Sequence, residues 1–108
     1  MSHYADYRYE REGKHTLELE YGFAVYSVDG EWCYLEDIYV EPDQRRFGKG
    51  KRLNDLIEKI AKGYKCKYML GSISPSVKGS QESLLALIGA GYKLYSSKPD
   101  MIYFKKDL

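Results

Sequence analysis

Apolar and polar residues alternate along much of the first forty positions, the pattern of β-strands that bury one face. In one segment Leu17, Leu19 and Tyr21 would share a face, with glutamates between them on the other. The pattern predicts strands at residues 7–11, 16–21, 23–28 and 32–40. Because Asp29-Gly30 favours a tight hairpin between the last two, this part of the chain is predicted to form antiparallel sheet.

A helical pattern replaces the alternation after residue 50. The apolar residues of a helix at residues 50–62 would fall on one face, namely Leu53, Leu56, Ile57, Ile60 and Ala61. Gly63 is the expected helix end. A strand at residues 67–74 follows, and a strand–helix–strand connection of this length predicts that it pairs in parallel with residues 32–40.

A shorter helix and a hairpin complete the predicted order of elements. Ser80 is a suitable N-cap for a helix at residues 81–88. The buried face of that helix is predicted to carry Leu84, Leu85, Leu87 and Ile88. Residues 92–96 and 101–105 are predicted to form the final hairpin. A chain of 108 residues suffices for one core, so we expect a single domain at residues 1–108.

Composition argues against several classes of function. The formal net charge is +1, so no overall field attracts nucleic acid or an anionic membrane. The apolar stretches are too short to span a bilayer and the N-terminus lacks the hydrophobic region of a signal peptide, which favours a cytoplasmic location. Cys33 and Cys66 are isolated in sequence, so we expect buried thiols and no metal site.

The most informative segment joins the strand at residues 32–40 to the helix that follows. Residues 34–50 read YLEDIYVEPDQRRFGKG, in which Pro42 ends the strand and Gly48 and Gly50 lead into the helix. Such a turn leaves several backbone N–H groups without partners at the positive end of the helix dipole. The segment is therefore predicted to bind phosphate.

The same segment resembles the pyrophosphate-binding motif of the GNAT acetyltransferase superfamily, (Arg/Gln)-x-x-Gly-x-(Gly/Ala), which stands here as RRFGKG at residues 45–50. The run that starts at Tyr34 is most similar to polyamine acetyltransferases. The resemblance implies an α+β fold: a mixed, mostly antiparallel sheet with a splayed parallel pair and two main helices. It also implies acetyl-CoA as cofactor. The family's N-terminal helical pair is missing from the predicted elements, so the wall that it usually gives the acceptor site is missing or comes from elsewhere.

Carried over to this chain, the family pattern assigns cofactor contacts to two backbone segments. Ile38, Tyr39 and Val40 would hold the acetyl carbonyl and the pantetheine arm. The pyrophosphate would lie against N–H groups of the turn, contributed by Arg46, Phe47, Gly48, Lys49, Gly50 and Lys51. Arg45 matches the basic first position of the motif, with an ordinary surface charge as the alternative.

Two adjacent carboxylates precede the phosphate turn. An amine with a pKa near 10.4 is neutral at pH 7 only at a cost of about 4.6 kcal/mol, which a carboxylate that accepts the proton partly offsets. By resemblance, Glu36 is the candidate base and Asp37 a candidate contact for a cationic acceptor. Neighbouring strand residues point to opposite faces, so both can line one face only if the strand bulges. The alternative is a solvated or salt-bridged strand residue.

The position of the general acid departs from the family pattern. A tyrosine four residues before a Gly-Phe pair is usual, but Gly91-Tyr92 places Leu87 there, and leucine cannot donate a proton. Tyr92, Tyr95 or solvent could substitute.

The sequence thus indicates an N-acetyltransferase that carries acetyl from acetyl-CoA to a primary amine, either a small amine such as a polyamine or a protein lysine, by direct attack in a ternary complex. The alternative is a CoA-binding or regulatory protein with little catalysis that acts through protein contacts. Uncovered sheet edges also favour a homodimer.

Overall fold

The computed structural model describes residues 13–45 and 48–108. The described strands are β1 (His15–Leu19), β2 (Gly22–Asp29), β3 (Trp32–Val40), β4 (Tyr68–Ile73), β5 (Lys93–Lys98) and β6 (Met101–Asp107). The helices are α1 (Lys49–Gly63) and α2 (Ser80–Gly89), and a single 3-10 turn at Pro42–Gln44 follows β3. The predicted strand at residues 7–11 lies outside the described residues.

The six described strands form one mixed sheet in the order β1-β2-β3-β4-β6-β5. Among the described strand pairs only β3–β4 is parallel, and α1 makes the connection between these two strands. The other described pairs are antiparallel. From Gly13 to Val40 the chain contains strands and turns but no helix. The α+β architecture inferred from the resemblance is confirmed.

The parallel pair separates part of the way along its strands. β3 and β4 pair from Trp32↔Tyr68 to Leu35↔Gly71 and no further. Beyond that point β3 continues beside β2 as far as Val40, while β4 continues beside β6. The two strands therefore enclose a V-shaped cleft with its apex at Leu35 and Gly71.

Both helices lie on the same face of the sheet, and the core is the layer between the helices and the sheet. From α1, Leu53, Ile57 and Ala61 are completely buried. α2 packs its Leu84 and Leu87 against the same cluster. Burial of a leucine or isoleucine side chain contributes roughly 1.5–3 kcal/mol, so this layer is the main attachment of α1 to the sheet.

β2, β3, β4 and β6 each contribute buried residues on one face of the sheet to this core. Those sheet residues are Ala24, Tyr26, Cys33, Leu35, Val40, Met69, Ile73 and Phe104. We call the side of the sheet that carries them the helix face, and the other side the far face.

Two predictions for α2 were wrong. Leu85 and Ile88, predicted to be buried, are 63% and 54% exposed. A short helix on a flat sheet buries one stripe with i, i+3 spacing, here Leu84 and Leu87, and the next residue in each case points outward. Ser80 is not the N-cap, because Gly79 occupies that position with a φ of +86°, and the Ser80 hydroxyl donates to the Pro75 carbonyl at 3.3 Å.

A buried polar network was not anticipated from sequence. Asn54 and Glu58 lie on the buried side of α1, with only 3% and 8% exposure. The Tyr92 hydroxyl donates to Asn54 Oδ1 at 2.8 Å, and Lys106 Nζ lies 2.9 Å from Glu58 Oε1. Because each polar group has a partner, the network joins α1 to the start and end of the β5–β6 hairpin without leaving a buried charge uncompensated.

The packing of α1 generates a stability prediction. Leu53→Ala removes a completely buried side chain and should lower the free energy of unfolding by about 2–5 kcal/mol. The matched control is Leu85→Ala, since Leu85 is a helical leucine exposed to solvent, and it should change stability by less than about 0.5 kcal/mol. Urea denaturation followed by circular dichroism measures both. Equal effects of the two substitutions would contradict the assignment of the core.

Candidate functional site

A β-bulge lies in β3 at the point where the cleft opens. Asp37 pairs with Val25 and Leu35 pairs with Tyr26, which leaves Glu36 as the extra residue. The bulge shifts the alternation, so Leu35 and Ile38 both lie on the helix face, and Glu36 and Asp37 between them lie towards the far face. The condition under which both carboxylates can line one side of the cleft is therefore met.

Glu36 is a partly buried carboxylate with one engaged oxygen. Its Oε1 lies 3.0 Å from Lys14 Nζ, and the side chain is 20% exposed. Its Oε2 is buried and has no hydrogen-bond partner within the described chain. The salt-bridged alternative is thus present in the structure, yet one oxygen stays available as a proton acceptor. Asp37 is exposed to solvent.

The residues beyond the bulge form one wall of the cleft. Ile38 and Val40 pack into the core, while Tyr39 stacks on Phe23 with ring centroids 5.5 Å apart. Successive strand residues point their backbone groups alternately to the two sides, so about half of the N–H and C=O groups of this segment face away from β2 into the cleft. Those groups can hold an extended ligand.

Arg45 is attached to the end of the same strand. Its Nε donates to the Val40 carbonyl at 2.9 Å, and the guanidinium carbon lies 5.7 Å from the centroid of the Tyr39 ring. The side chain therefore braces the turn between β3 and α1 and places positive charge beside it.

The end of that turn has the backbone geometry of an anion-binding site. Gly48 adopts a φ of +74° and is the N-cap of α1. The first helical hydrogen bond runs from Arg52 N–H to the Gly48 carbonyl at 3.0 Å, so the N–H groups of the three intervening residues, Lys49, Gly50 and Lys51, have no acceptor within the helix. No side chain caps them. They point out of the helix at the positive end of its dipole. Arg46 and Phe47, predicted to contribute to the turn, lie outside the described residues.

A shallow groove of 340 Å³ starts at Gly48 and follows the exposed side of α1. Its lining contains three basic residues and one acidic residue and consists of Gly48, Lys51, Arg52, Asp55, Leu56 and Lys59. Lys51 is paired with Asp55 at 2.9 Å. The groove extends from the uncapped start of α1 along the helix and carries net positive charge.

Two hydroxyls meet at the apex of the cleft. Tyr34 Oη lies 2.6 Å from Ser72 Oγ, which joins β3 to β4 just beyond their last backbone pair. Both side chains are on the far face, together with Glu36. This contact was missed from the sequence; the only signals were that Tyr34 opens the YLED run and that Ser72 is a lone polar side chain in a buried strand.

The tyrosines considered as general acids are placed differently. Tyr92 is in the core and donates to Asn54, and burial, with a smaller contribution from Glu58, raises the pKa of its hydroxyl. Tyr95 is exposed on the far face beside Trp32, with ring centroids 5.6 Å apart. Leu87 packs over Gly71. None of the three places an acidic hydrogen in the cleft.

Neither cysteine is suited to act as a nucleophile. Cys33 is completely buried, and desolvation together with the neighbouring Cys66 raises the pKa of its thiol to about 12. Cys66 is also buried, and desolvation raises its pKa as well. A thiolate is the reactive species, so an acyl-cysteine intermediate is disfavoured. The expectation of structural thiols agrees with these environments.

Among residues 13–45 and 48–108, no cluster of three or more His, Cys, Asp or Glu side chains could hold a metal ion. Over the same residues, neither helix has the length and apolarity that a membrane span requires.

Comparison with known proteins identifies the family. The sequence profile of the acetyltransferase (GNAT) family matches residues 4–82, so the chain belongs to this family. A search of curated proteins found no match.

Solved structures share the fold at low sequence identity. A GNAT family acetyltransferase from Elizabethkingia anophelis, solved with acetyl-CoA bound, is 17% identical with a TM-score of 0.77, over 99% of this chain and 84% of that one. An IAA acetyltransferase from Bacillus cereus is 18% identical with a TM-score of 0.76, over 99% and 85% of the two chains. The paia N-acetyltransferase from Thermoplasma acidophilum, in complex with coenzyme A, is 17% identical with a TM-score of 0.74; the match covers 82% of this chain and 54% of that one.

The thiol environments generate a prediction about reactivity. Both cysteines should fail to react with a disulfide reagent such as DTNB in the native protein at pH 8, because they are buried and their pKa values are raised. Both should react in denaturant. Rapid native titration of either thiol, read as absorbance of the released thiolate, would show that the site is accessible.

Proposed function

We propose that the protein transfers the acetyl group of acetyl-CoA to a primary amine by direct attack within a ternary complex. The observation that carries the proposal is the early end of the β3–β4 pairing, which leaves backbone groups of β3 unpaired between the uncapped start of α1 and the bulge that carries Glu36. A phosphate group, an extended arm and a reacting carbonyl need these three features in this order.

The cofactor fits the residues present. Its pyrophosphate would accept hydrogen bonds from the N–H groups of Lys49, Gly50 and Lys51, with Gly48 allowing close approach. Its remaining phosphate would lie near Lys51, Arg52 and Lys59 in the groove. The pantetheine arm would follow the free backbone groups of Ile38, Tyr39 and Val40. Two structurally similar proteins bind coenzyme A or acetyl-CoA, which supports this assignment.

Glu36 is proposed as the base. When bound, acetyl-CoA supplies an activated acyl group. The protein must take a proton from the acceptor amine so that the amine can attack in its neutral form. The buried Oε2 of Glu36 has no partner in the described chain, and Lys14 holds the other oxygen. A proton taken from the amine would go to Oε2. Asp37, exposed on the same face, would attract a cationic acceptor.

A dedicated acid is not required for the leaving group. A thiol has a pKa of about 8.5, so a thiolate leaves without full protonation and solvent can supply the proton afterwards. This chemistry accommodates leucine at position 87, where a tyrosine is usual in the family.

The second candidate function is CoA binding with little catalysis, in a protein that acts through its contacts. The observations that favour it are Leu87 at the usual acid position and the engagement of Glu36 with Lys14. Release of free thiol from acetyl-CoA in the presence of an amine panel separates the two, because only a transferase gives amine-dependent release.

The acceptor is proposed to be either a small amine such as a polyamine or a lysine of another protein, since no described helix covers the far face. A homodimer is proposed as well, because apolar side chains such as Leu85, Ile88 and Leu94 are more than half exposed. Light scattering over a tenfold dilution tests the assembly, and a constant monomeric mass would refute it.

Replacement of Gly48 tests the cofactor site. Gly48→Val should weaken CoA binding at least about tenfold, because a β-branched residue disfavours a φ of +74° and would reshape the N–H cradle. A Cβ there meets no atom within 4 Å, so the fold should survive. Gly30→Val is the matched control: that glycine has a φ of +59° in a remote hairpin, also without neighbours. Unchanged CoA affinity of Gly48→Val in calorimetry would refute the site.

Replacement of Glu36 tests the base. Glu36→Gln keeps the shape but cannot take a proton, and should lower amine-dependent thiol release about a hundredfold with CoA affinity unchanged. Glu18→Gln, an exposed carboxylate on β1, is the control and should keep full activity. Full activity of Glu36→Gln would return Glu36 to a structural role.

A further inference from the structure

The Tyr34–Ser72 pair occupies a place in the cleft that the proposed reaction leaves unassigned. The two hydroxyls lie 2.6 Å apart and link β3 to β4 where their backbones separate. Both side chains are half-buried. The residues are 38 positions apart in sequence, and the pair exists only because the parallel strands are in this register.

The hydroxyl pair and Glu36 lie on the same face of the sheet. Tyr34 and Glu36 are two residues apart on β3, which separates their Cα atoms by about 6–7 Å. Ordinary strand alternation places Tyr34 and Glu36 on the far face, where Ser72 also lies. The hydroxyl pair is therefore one side, and the Glu36 carboxylate the other, of a candidate site for an amine nitrogen.

The hydrogen-bonding capacities of the two sides are complementary to a primary amine. One mutual hydrogen bond leaves lone pairs on the Tyr34 and Ser72 oxygens unused. The Oε2 atom of Glu36 is a second acceptor without a described partner. A neutral primary amine that directs its lone pair at a carbonyl carbon presents two N–H hydrogens. Two acceptors on opposite sides of the nitrogen therefore orient that lone pair.

We propose that the Tyr34–Ser72 pair and Glu36 form a two-point site that selects primary over secondary amines; this rests on the proposed acetyl transfer. The Glu36 carboxylate accepts one N–H hydrogen, and the hydroxyl pair accepts the other. A secondary amine has a single N–H, so it leaves one acceptor unpaired and carries its alkyl group against the hydroxyls. An unpaired polar group in a desolvated site costs binding free energy, which is the source of the discrimination.

The test compares two probe pairs: butylamine with N-methylbutylamine, and Nα-acetyl-lysine methylamide with its Nε-methyl derivative. The readout is the ratio of kcat/KM for the primary amine to that for the secondary amine, measured as thiol release from acetyl-CoA. The native protein should favour the primary amine. Ser72→Ala and Tyr34→Phe should each lower kcat/KM for the primary amine by about tenfold, the usual effect of one hydrogen bond, and affect the secondary amine less. The ratio should fall in both variants with CoA affinity unchanged.

Two control variants separate this role from simple bracing of the strands. Ser72→Thr keeps the hydroxyl and should keep the ratio. Tyr68→Phe removes a hydroxyl from the same face one pleat from Tyr34, and should also keep it. If Tyr34→Phe fails to fold, Ser72→Ala and Ser72→Thr still give the comparison.

The outcomes distinguish this inference from the function on which it rests. Equal slowing of both amines by Ser72→Ala, with a lower melting temperature, would mean that the pair only braces the cleft and would overturn the inference. Amine-dependent release with a ratio that the variants leave unchanged would also overturn it, while acetyl transfer would stand. No amine-dependent release by the native protein would refute acetyl transfer to these amines and this inference together.

Discussion

The arrangement of this protein depends on the early end of the β3–β4 pairing. Neighbouring parallel strands normally form backbone hydrogen bonds with each other along their whole length. Here the pairing stops after four residue pairs, at Leu35↔Gly71. The bulge at Glu36 bends β3 at that point, and the strands then follow different neighbours. Backbone N–H and C=O groups that would be hydrogen-bonded in a regular sheet therefore face a cleft. The same bulge brings Asp37 to the far face beside Glu36, so the open wall of the cleft and the paired carboxylates arise from one irregularity.

The proposed binding of an anion also depends on the position of α1. Its N–H groups can serve an anion only if the start of the helix stays beside the end of β3. Leu53, Ile57 and Ala61 fasten it to the sheet by burial, and Asn54 and Glu58 add directional contacts to Tyr92 and Lys106. These directional contacts add to the close apolar packing in fixing the position of the helix on the sheet. The polar network therefore defines where the anion site lies relative to the cleft.

The groups proposed to bind the cofactor and those proposed to bind the acceptor lie on opposite faces of the sheet. The helix face carries α1 and with it the groups that can bind phosphates. The far face carries Glu36, Asp37 and the Tyr34–Ser72 pair, all of which suit a cationic or amine ligand. The cleft joins the faces, so a thioester held in it and an amine approaching from the far face would meet at the bulge. Buried cysteines with raised pKa values leave direct attack as the simplest route.

Local patterns in the sequence were sufficient for the described elements, the family and the uncapped glycine turn at the start of α1. Strand alternation, the α1 stripe through Leu53, Ile57 and Ala61, and the turn at Gly48 are set by neighbours in the chain, because side-chain periodicity and backbone dihedral preferences are local. Tertiary structure alone decided that β3 bulges at Glu36, that Leu85 and Ile88 remain exposed, and that Tyr34 meets Ser72 and Tyr92 meets Asn54. Strand register and helix placement depend on the whole core, and contacts between residues 38 positions apart leave no periodic trace in the sequence.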